Sequence, residues 1–309
     1  MLNINSIRSK LEILSLELKG NIKSKAPEVS YPYKQSIRFR NGFVLKTEGF
    51  SEPLINKLLN LANEHSVEFS DVRTNSQQWL LNTAESVLTL PNGLNFDFDS
   101  IDPLIFSETY IYDIHFSGFD LSNKVILDAG GFVGDTALYY ANLGAEVYTF
   151  EPDPSHFAML QRNLELNKHV SKRIHAVNAA IGSDGIFAFG KDENNIGKIS
   201  ETGNGDYEVE SHSLDTVLSK YKIENPYLLH LDIKGSEGPI LDSPAIEKFE
   251  RLRVEYSPYL SDGFDVHVDY PELILNTVRS HGFGDIRLFK HNRLRIPTSI
   301  HGTLDASKR

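Results

Sequence analysis

The stretch Val125-Ile126-Leu127-Asp128-Ala129-Gly130-Gly131-Phe132-Val133-Gly134 decides the fold of this chain. It begins as a short β-rich apolar run, reaches a carboxylate at Asp128 and continues into three closely spaced glycines. Glycines allow a tight turn and let the backbone approach a ligand closely. A helix that starts after such a turn presents unpaired N–H groups to an anionic group. The stretch therefore predicts a buried strand, a ligand-binding turn and a helix from about Asp135.

Outward from this stretch, short β-rich runs alternate with helical segments. The predicted strands after the first are Glu146–Phe150, Arg173–Ile181, Tyr227–Ile233 and Arg251–Tyr256, and the predicted helices are 155–167, 237–249 and 270–281. This alternation predicts an α/β fold with a doubly wound, mostly parallel sheet. Asp285–Lys290 and Leu294–His301 flank a short polar segment and predict a closing antiparallel hairpin. Residues 191–206 are polar and glycine-rich, which predicts a long loop.

The first third of the chain lacks this alternation and predicts a separate, mainly helical extension. Five apolar residues at helical spacing form one stripe: Ile4, Ile7, Leu11, Leu14 and Leu18. A helix packed on its own domain explains this stripe, and a homodimer is the alternative. Further helices are expected after Ser51 and near Ser76–Leu88. We assign residues 1–120 to this extension and residues 121–309 to the sheet domain.

Composition limits the classes of partner. The 309 residues include 42 acidic and 31 basic side chains, for a formal net charge of −11. Because a nucleic-acid-binding surface is usually basic, a nucleic acid partner is not expected. The chain has no cysteine, which excludes disulfides and thiolate metal sites. Neither a signal peptide nor an apolar run of membrane-spanning length is evident, so no membrane span and a cytoplasmic location are expected.

A second carboxylate narrows the ligand to a nucleotide-like molecule. Glu151 ends the second predicted strand, 17 residues after Gly134, where it can accept hydrogen bonds from both hydroxyls of a ribose. Residues Ala129–Gly134 nearly match the dinucleotide fingerprint, so an NAD-type oxidoreductase remains an alternative. Asp128 argues against it, because a pyrophosphate disfavours a neighbouring carboxylate whereas a cationic sulfonium with an ammonium group tolerates one.

Five blocks occur in an order that is familiar from one family. They are Val125–Gly134, Phe150-Glu151-Pro152-Asp153-Pro154, Ala179-Ala180-Ile181-Gly182, Ser213-Leu214-Asp215-Thr216 and Leu231-Asp232-Ile233-Lys234-Gly235-Ser236-Glu237. With them, residues 88–258 resemble the FkbM family of S-adenosylmethionine-dependent methyltransferases. The resemblance implies a seven-stranded, Rossmann-like methyltransferase fold and methylation of a hydroxyl oxygen on a sugar, glycan, lipid or small metabolite.

The resemblance also implies a set of cofactor-binding residues. Asp128, Gly130 and Gly134 would line the methionine end of S-adenosylmethionine, Glu151 would hold the ribose, and the segment at Asn178 and Ala179 would border the adenine. Residues within these blocks or directly next to them complete the expected cofactor site: Gly131, Phe132, Asp135 and Pro152.

The fourth strand departs from the family pattern. The family usually has a lysine two residues before the strand aspartate and a glutamate two residues after it, whereas this chain has His230 and Lys234. Asp232 is our first choice for a catalytic base or substrate anchor, since ligands bind beyond the carboxyl ends of parallel strands. His230 shares its face of the strand, although a core histidine is the alternative role. Lys234 could neutralise an acidic substrate, and Glu255 on the fifth strand is a further candidate.

Two other interpretations stay open at this stage. Some O-methyltransferases use a divalent ion, but no close pair of histidine ligands is present and no metal is expected. The altered fourth-strand block also fits a catalytically silent module that binds S-adenosylmethionine.

Overall fold

The computed structural model describes residues 22–24, 36–39, 43–46, 52–63, 67–72, 77–111, 113, 120–191, 197–200, 205–233, 237–256, 270–290 and 302–308. The chain divides into two compact units, Met1–His115 and Phe116–Arg309. Among the described helices, none combines the length and the apolar composition that a membrane crossing requires.

The described residues of the first unit form two small sheets. Its strands are β1 (Ile22–Ser24), β2 (Ser36–Phe39), β3 (Val44–Lys46), β4 (Phe69–Ser70), β5 (Trp79–Asn82), β6 (Val87–Thr89) and β7 (Asn95–Asp97). One sheet has the order β1-β2-β3 and the other β4-β5-β6-β7. The helices of this unit are Glu52–Asn63, the 3-10 turn Phe98–Ser100 and Pro103–Tyr110. The buried rings of Trp79, Phe96 and Phe106 pack edge to face in its core.

The expectation of a mainly helical extension is not supported by the described residues, which form strands as well as helices. The helix predicted after Ser51 is confirmed as Glu52–Asn63. The helix predicted at Ser76–Leu88 is wrong, because β5 and β6 form an antiparallel pair there. Between them the Asn82 side chain accepts hydrogen bonds from the N–H groups of Ala84 and Glu85 and fixes a turn. The apolar stripe Ile4–Leu18 lies outside the described residues.

The second unit is built on a seven-stranded sheet. The described strands of this unit in chain order are β8 (Val125–Ala129), β9 (Glu146–Phe150), β10 (Ile174–Val177), β11 (Ala180–Ile181), β12 (Gly185–Lys191), β13 (Gly197–Ser200), β14 (Tyr207–His212), β15 (Leu228–Leu231), β16 (Arg251–Tyr256), β17 (Phe283–Lys290) and β18 (Gly302–Lys308). Four of them form a separate small sheet with the order β11-β14-β12-β13. The large sheet has the order β10-β9-β8-β15-β16-β18-β17, in which β18 alone runs antiparallel to its neighbours. The predicted doubly wound, mostly parallel seven-stranded sheet is therefore confirmed.

Helices connect the parallel strands. They are Asp135–Asn142, Pro154–Leu166, Lys168–Ser171, Leu214–Lys220, Glu237–Leu241, the 3-10 helix Pro244–Lys248 and Tyr270–Ser280. Local sequence explains where the helix Pro154–Leu166 begins. Asp153 caps it by accepting hydrogen bonds from the N–H groups of Ser155 and His156, and Pro154 occupies its first position. One face of the sheet buries a continuous apolar core that includes Leu127, Phe150, Leu229 and Val254.

Three local predictions need correction. The predicted third strand is split into β10 and β11, since the chain leaves the sheet at Asn178. The predicted loop 191–206 contains β13, which pairs with β12 through Ile199 opposite Phe189. The closing hairpin is antiparallel as predicted, but β17 pairs with Gly302–Lys308, and the predicted partner Leu294–His301 lies outside the described residues.

Candidate cofactor and catalytic site

The direction of strand order reverses between β8 and β15, which lie side by side in the middle of the large sheet. Open α/β sheets bind ligands at such a switch point, beyond the carboxyl ends of the strands. The glycine turn follows β8 directly, and Asp232 follows β15. The fold therefore places two of the predicted regions, which lie about a hundred residues apart in sequence, at the same edge of the sheet.

The glycine turn has a backbone that other residues would strain. Gly130 and Gly134 have φ angles of +94° and +83°, in the left-handed region that favours glycine. A Cβ on Gly130 would stand 2.1 Å from the Asp232 carbonyl oxygen. A Cβ on Gly131 would stand 2.4 Å from Thr149 Oγ1. The N–H groups of Gly130 and Gly131 both donate to the Phe150 carbonyl, which fixes the turn against the end of β9.

Asp232 is held against this turn by its own backbone. Its N–H donates to the Ala129 carbonyl over 3.0 Å, which extends the pairing of β15 with β8 by one residue. Its side chain is partly buried. One register step beyond the pair Leu231–Val254, Asp232 lies beside Glu255, whose side chain is buried in β16. Two candidate acids thus flank the carboxyl ends of neighbouring strands.

Glu151 is buried at the carboxyl end of β9, with 6% of its surface exposed. One carboxylate oxygen accepts the Phe132 N–H and the other accepts the Asp153 N–H, each over 2.8 Å. A carboxylate oxygen has two lone pairs, so each one can accept another hydrogen bond. The Asn178 amide donates to the Glu151 and Pro152 carbonyls over 2.8 and 3.2 Å. Asn178 thereby ties the end of β10 to the end of β9.

Asp128 is fully buried beneath the turn. One carboxylate oxygen accepts a hydrogen bond of 2.8 Å from the Thr149 hydroxyl, and the other lies 2.7 Å from His230 Nδ1. His230 is itself 3% exposed and packs edge-on against Tyr140. In this arrangement both side chains face each other inside the protein. Asp128 supports the turn from below, and His230 supports Asp128.

This pair belongs to a polar row that crosses the sheet on one face. Strand register aligns its buried members Thr149, Asp128, His230, Arg253 and Asp305 in that order. Arg251, two residues from Arg253 on the same face, donates to both Asp305 oxygens over 2.8 and 2.5 Å. Burial lowers the pKa of Arg253 and raises the pKa of Tyr140, which packs on the row. The alternation of acids and bases keeps these buried charges close to balance.

Four other residues of the predicted site lie in different elements or outside the described residues. Asp135 is buried in the first turn of the helix Asp135–Asn142, and Ala179 is buried at the start of the segment that leads into β11. Phe132 lies in the glycine turn with its side chain partly buried. Lys234 lies outside the described residues. Among the residues that the structure describes, no group of three or more histidine, aspartate or glutamate side chains could hold a metal ion.

Sequence reasoning missed two side chains that border Glu151. His156 lies in the first turn of the helix Pro154–Leu166, with Nδ1 3.8 Å from Glu151 and 3.7 Å from Asp153. Tyr207 on β14 lies near the same acids. Burial, and then the negative charge of Asp153, raise the pKa of its hydroxyl. His156 follows the Phe-Glu-Pro-Asp-Pro block by two residues, and this closeness in sequence could have indicated that it lies near Glu151. Tyr207 gave no such signal, because its position depends on the fold of β12–β14.

We compared the sequence with models of known protein families and with curated proteins. A family model described as the methyltransferase FkbM domain matches residues 128–289, just over half of the chain. The sequence has no significant match among curated proteins.

Solved structures with a similar arrangement are distant in sequence. The methyltransferase FkbM from Methylobacillus flagellatus KT is 19% identical, with a TM-score of 0.43 over 65% of this chain. The match spans 47% of that longer protein. TYW2 from M. jannaschii, solved with AdoMet, is 13% identical, with a TM-score of 0.42 over 77% of this chain and 89% of that one. On the match to its family model, which begins at Asp128 and ends within β17, this chain belongs to the FkbM methyltransferase family.

Proposed function

We propose that the protein transfers the methyl group of S-adenosylmethionine to a hydroxyl oxygen of a sugar, glycan, lipid or small metabolite. The observation that carries this proposal is the contact between the glycine turn and the Asp232 backbone. It puts a carboxylate beside the turn at the switch point of the sheet. Membership of a methyltransferase family supports the same reaction.

The residues at the turn fit the chemistry of this cofactor. Glu151 is a buried carboxylate with remaining lone pairs, suited to ribose hydroxyls. The acidic residues around the turn favour a molecule with a sulfonium and an ammonium group over a pyrophosphate, which they would repel. Gly130, Gly134 and Asp135 would lie at the methionine end. Pro152, Asn178 and Ala179 would border the adenine.

When bound, S-adenosylmethionine supplies a methyl group on a sulfonium and leaves as the neutral thioether. The chain must then align an acceptor oxygen with that methyl group, because orientation supplies much of the acceleration in such a displacement. Asp232 would accept the proton that the hydroxyl loses, which contributes about a hundredfold to ten-thousandfold. Glu255 is the neighbouring acid that could anchor the acceptor or take over as base. His230, bonded to Asp128, would act on the turn and not on the acceptor.

Calorimetry tests the cofactor first. We expect the full chain to bind S-adenosylhomocysteine and not NADH. Binding of NADH alone would favour the oxidoreductase alternative and refute the proposal.

Turnover tests the base. Release of S-adenosylhomocysteine is measured with monosaccharides, glycans and hydroxylated lipids as acceptors. With an active acceptor, Asp232→Asn should keep S-adenosylhomocysteine affinity within about tenfold and lower turnover by about a hundredfold or more. Asp242→Asn, which changes an exposed aspartate ten residues later, is the matched control and should behave as the unaltered protein. Full activity of Asp232→Asn would move the role of base to Glu255. Cofactor binding without transfer to any acceptor would favour the silent module.

A further inference from the structure

The side chain of His156 has a position that the proposed function leaves unexplained. Its Nδ1 atom faces two carboxylates, Glu151 at 3.8 Å and Asp153 at 3.7 Å. Both distances exceed hydrogen-bond range, so the imidazole faces the acids across a gap. A third group to one side of such a pair, such as a water or a ligand hydroxyl, can be within hydrogen-bond distance of both atoms. The side chain remains 27% exposed, so a ligand can reach it.

Local helix chemistry does not favour a histidine at this position. His156 is the third residue of its helix, where the partial positive charge of the N-terminus disfavours a cation and a glutamate is typical. Residues that depart from local preference are often found at functional sites. This departure stands directly beside the carboxylate that we assign to the ribose.

Phe132 holds His156 in place through a strained backbone. Its φ angle is +43°, in the left-handed region that bulky residues seldom adopt. This conformation lets the Phe132 N–H donate to Glu151 over 2.8 Å. Its ring meets the His156 ring edge to face, with centroids 4.7 Å apart and an interplanar angle of 71°. One strained residue therefore orients both the carboxylate and the imidazole.

We propose that His156 is a binding residue for the ribose of the cofactor, donating a hydrogen bond to a hydroxyl that Glu151 accepts from. The inference rests on the proposed function, because it takes the ligand at Glu151 to be an adenosine derivative. A ribose hydroxyl is both a donor and an acceptor, whereas an ionised carboxylate can only accept. Glu151 satisfies the hydroxyl proton, and the imidazole N–H satisfies the hydroxyl oxygen. A hydroxyl oxygen to one side of the pair, about 2.8 Å from each of the two side-chain atoms, would contact both.

Calorimetry on the full chain tests this inference with S-adenosylhomocysteine and its 2′-deoxy and 3′-deoxy analogues. His156→Leu should weaken S-adenosylhomocysteine binding about fivefold to tenfold, the effect of one hydrogen bond. The same variant should bind one of the two deoxy analogues with an affinity within about twofold of the unaltered protein, because that analogue lacks the ribose hydroxyl to which His156 would donate. His156→Gln, which keeps an N–H donor, should retain part of the difference between the ligands.

His175→Leu is the matched control, since His175 also faces a glutamate, Glu146, but at the opposite end of β9. This variant should bind all three ligands as the unaltered protein does. Equal losses for all three ligands in His156→Leu would indicate a structural role and overturn the inference, as would unchanged affinity for S-adenosylhomocysteine. Both outcomes leave the proposed function intact. Failure of the unaltered protein to bind S-adenosylhomocysteine would instead overturn the proposed function.

Discussion

Replacing Gly130 with alanine tests the central contact of the site. The added Cβ would stand 2.1 Å from the Asp232 carbonyl oxygen, so this oxygen would have to withdraw by about 1.3 Å to reach an ordinary contact of 3.4 Å. The φ angle of +94° adds about 1–2 kcal/mol of backbone strain. Overpacking of a tight site costs a further ~1–3 kcal/mol. We therefore expect Gly130→Ala to lower the free energy of unfolding by about 3 kcal/mol or more.

The same substitution elsewhere separates the two contributions. Gly282 has a φ of +88°, but a Cβ there would meet no atom within 4 Å. Gly282→Ala should therefore lose only the backbone term, about 1–2 kcal/mol. Urea unfolding measures both variants, and calorimetry with S-adenosylhomocysteine follows the site. Gly130→Ala alone should lose cofactor affinity, because the turn and Asp232 must move apart. Equal stability losses and unchanged affinity in the two variants would refute the contact as the element that assembles the site.

Three further predictions address separate parts of the second unit. Glu151→Ala should weaken S-adenosylhomocysteine binding by about 1.5–3 kcal/mol in calorimetry, the scale of charge-assisted hydrogen bonds, and unchanged affinity in a folded variant would exclude the ribose role. His230→Leu should lower the free energy of unfolding by about 1–3 kcal/mol in urea, since it leaves one oxygen of the buried Asp128 carboxylate without its hydrogen-bond partner, and an unchanged free energy of unfolding would contradict the pairing. Hydrogen bonds from the Ser213 N–H, then from the hydroxyls of Ser213 and Thr216, lower the pKa of Asp184 from 3.8, so the stability that they add is present above pH 3.8 and is lost as the pH falls further. The advantage of the unaltered protein over Asp184→Asn should therefore be constant from pH 6 to about pH 4 and shrink as the pH falls towards 3, and a difference that stays constant down to pH 3 would contradict this prediction.

The sequence was most informative where local pattern and tertiary structure agree. β9 and β16 have their predicted bounds, because β-branched and aromatic residues dominate β9 and apolar residues alternate with charged ones along β16. It was least informative at Ser76–Leu88, where the apolar residues allowed a helix. The chain instead turns after Asn82 and pairs Leu81 with Leu88, so this segment forms two antiparallel strands. An asparagine whose side chain can accept from the N–H groups two and three residues later is typical of a turn, and Asn82 is such a residue. The helical spacing of the apolar residues around it favoured the wrong prediction.

The site was predictable to the extent that each residue follows a strand end. Asp232 could be placed near the glycine turn, because carboxyl ends of parallel strands share one edge of a sheet. The bond between His230 and Asp128 could not be predicted, since it joins residues 102 positions apart and depends on strand register. The gap between His156 and Glu151 likewise depends on the turn at Phe132, whose left-handed backbone is unusual for an aromatic residue.

The position of β18 between β16 and β17 has a consequence for how the protein is made. On the ribosome β17 emerges before β18, yet it joins the sheet only through β18. Arg251 likewise has to wait for Asp305, 54 residues further along. Until β18 is synthesised, the growing chain carries an open edge at β16 that can pair with other nascent chains. Completion of this sheet during biosynthesis is therefore a late event, and slow translation just before β18 would prolong the period in which the chain is prone to aggregate.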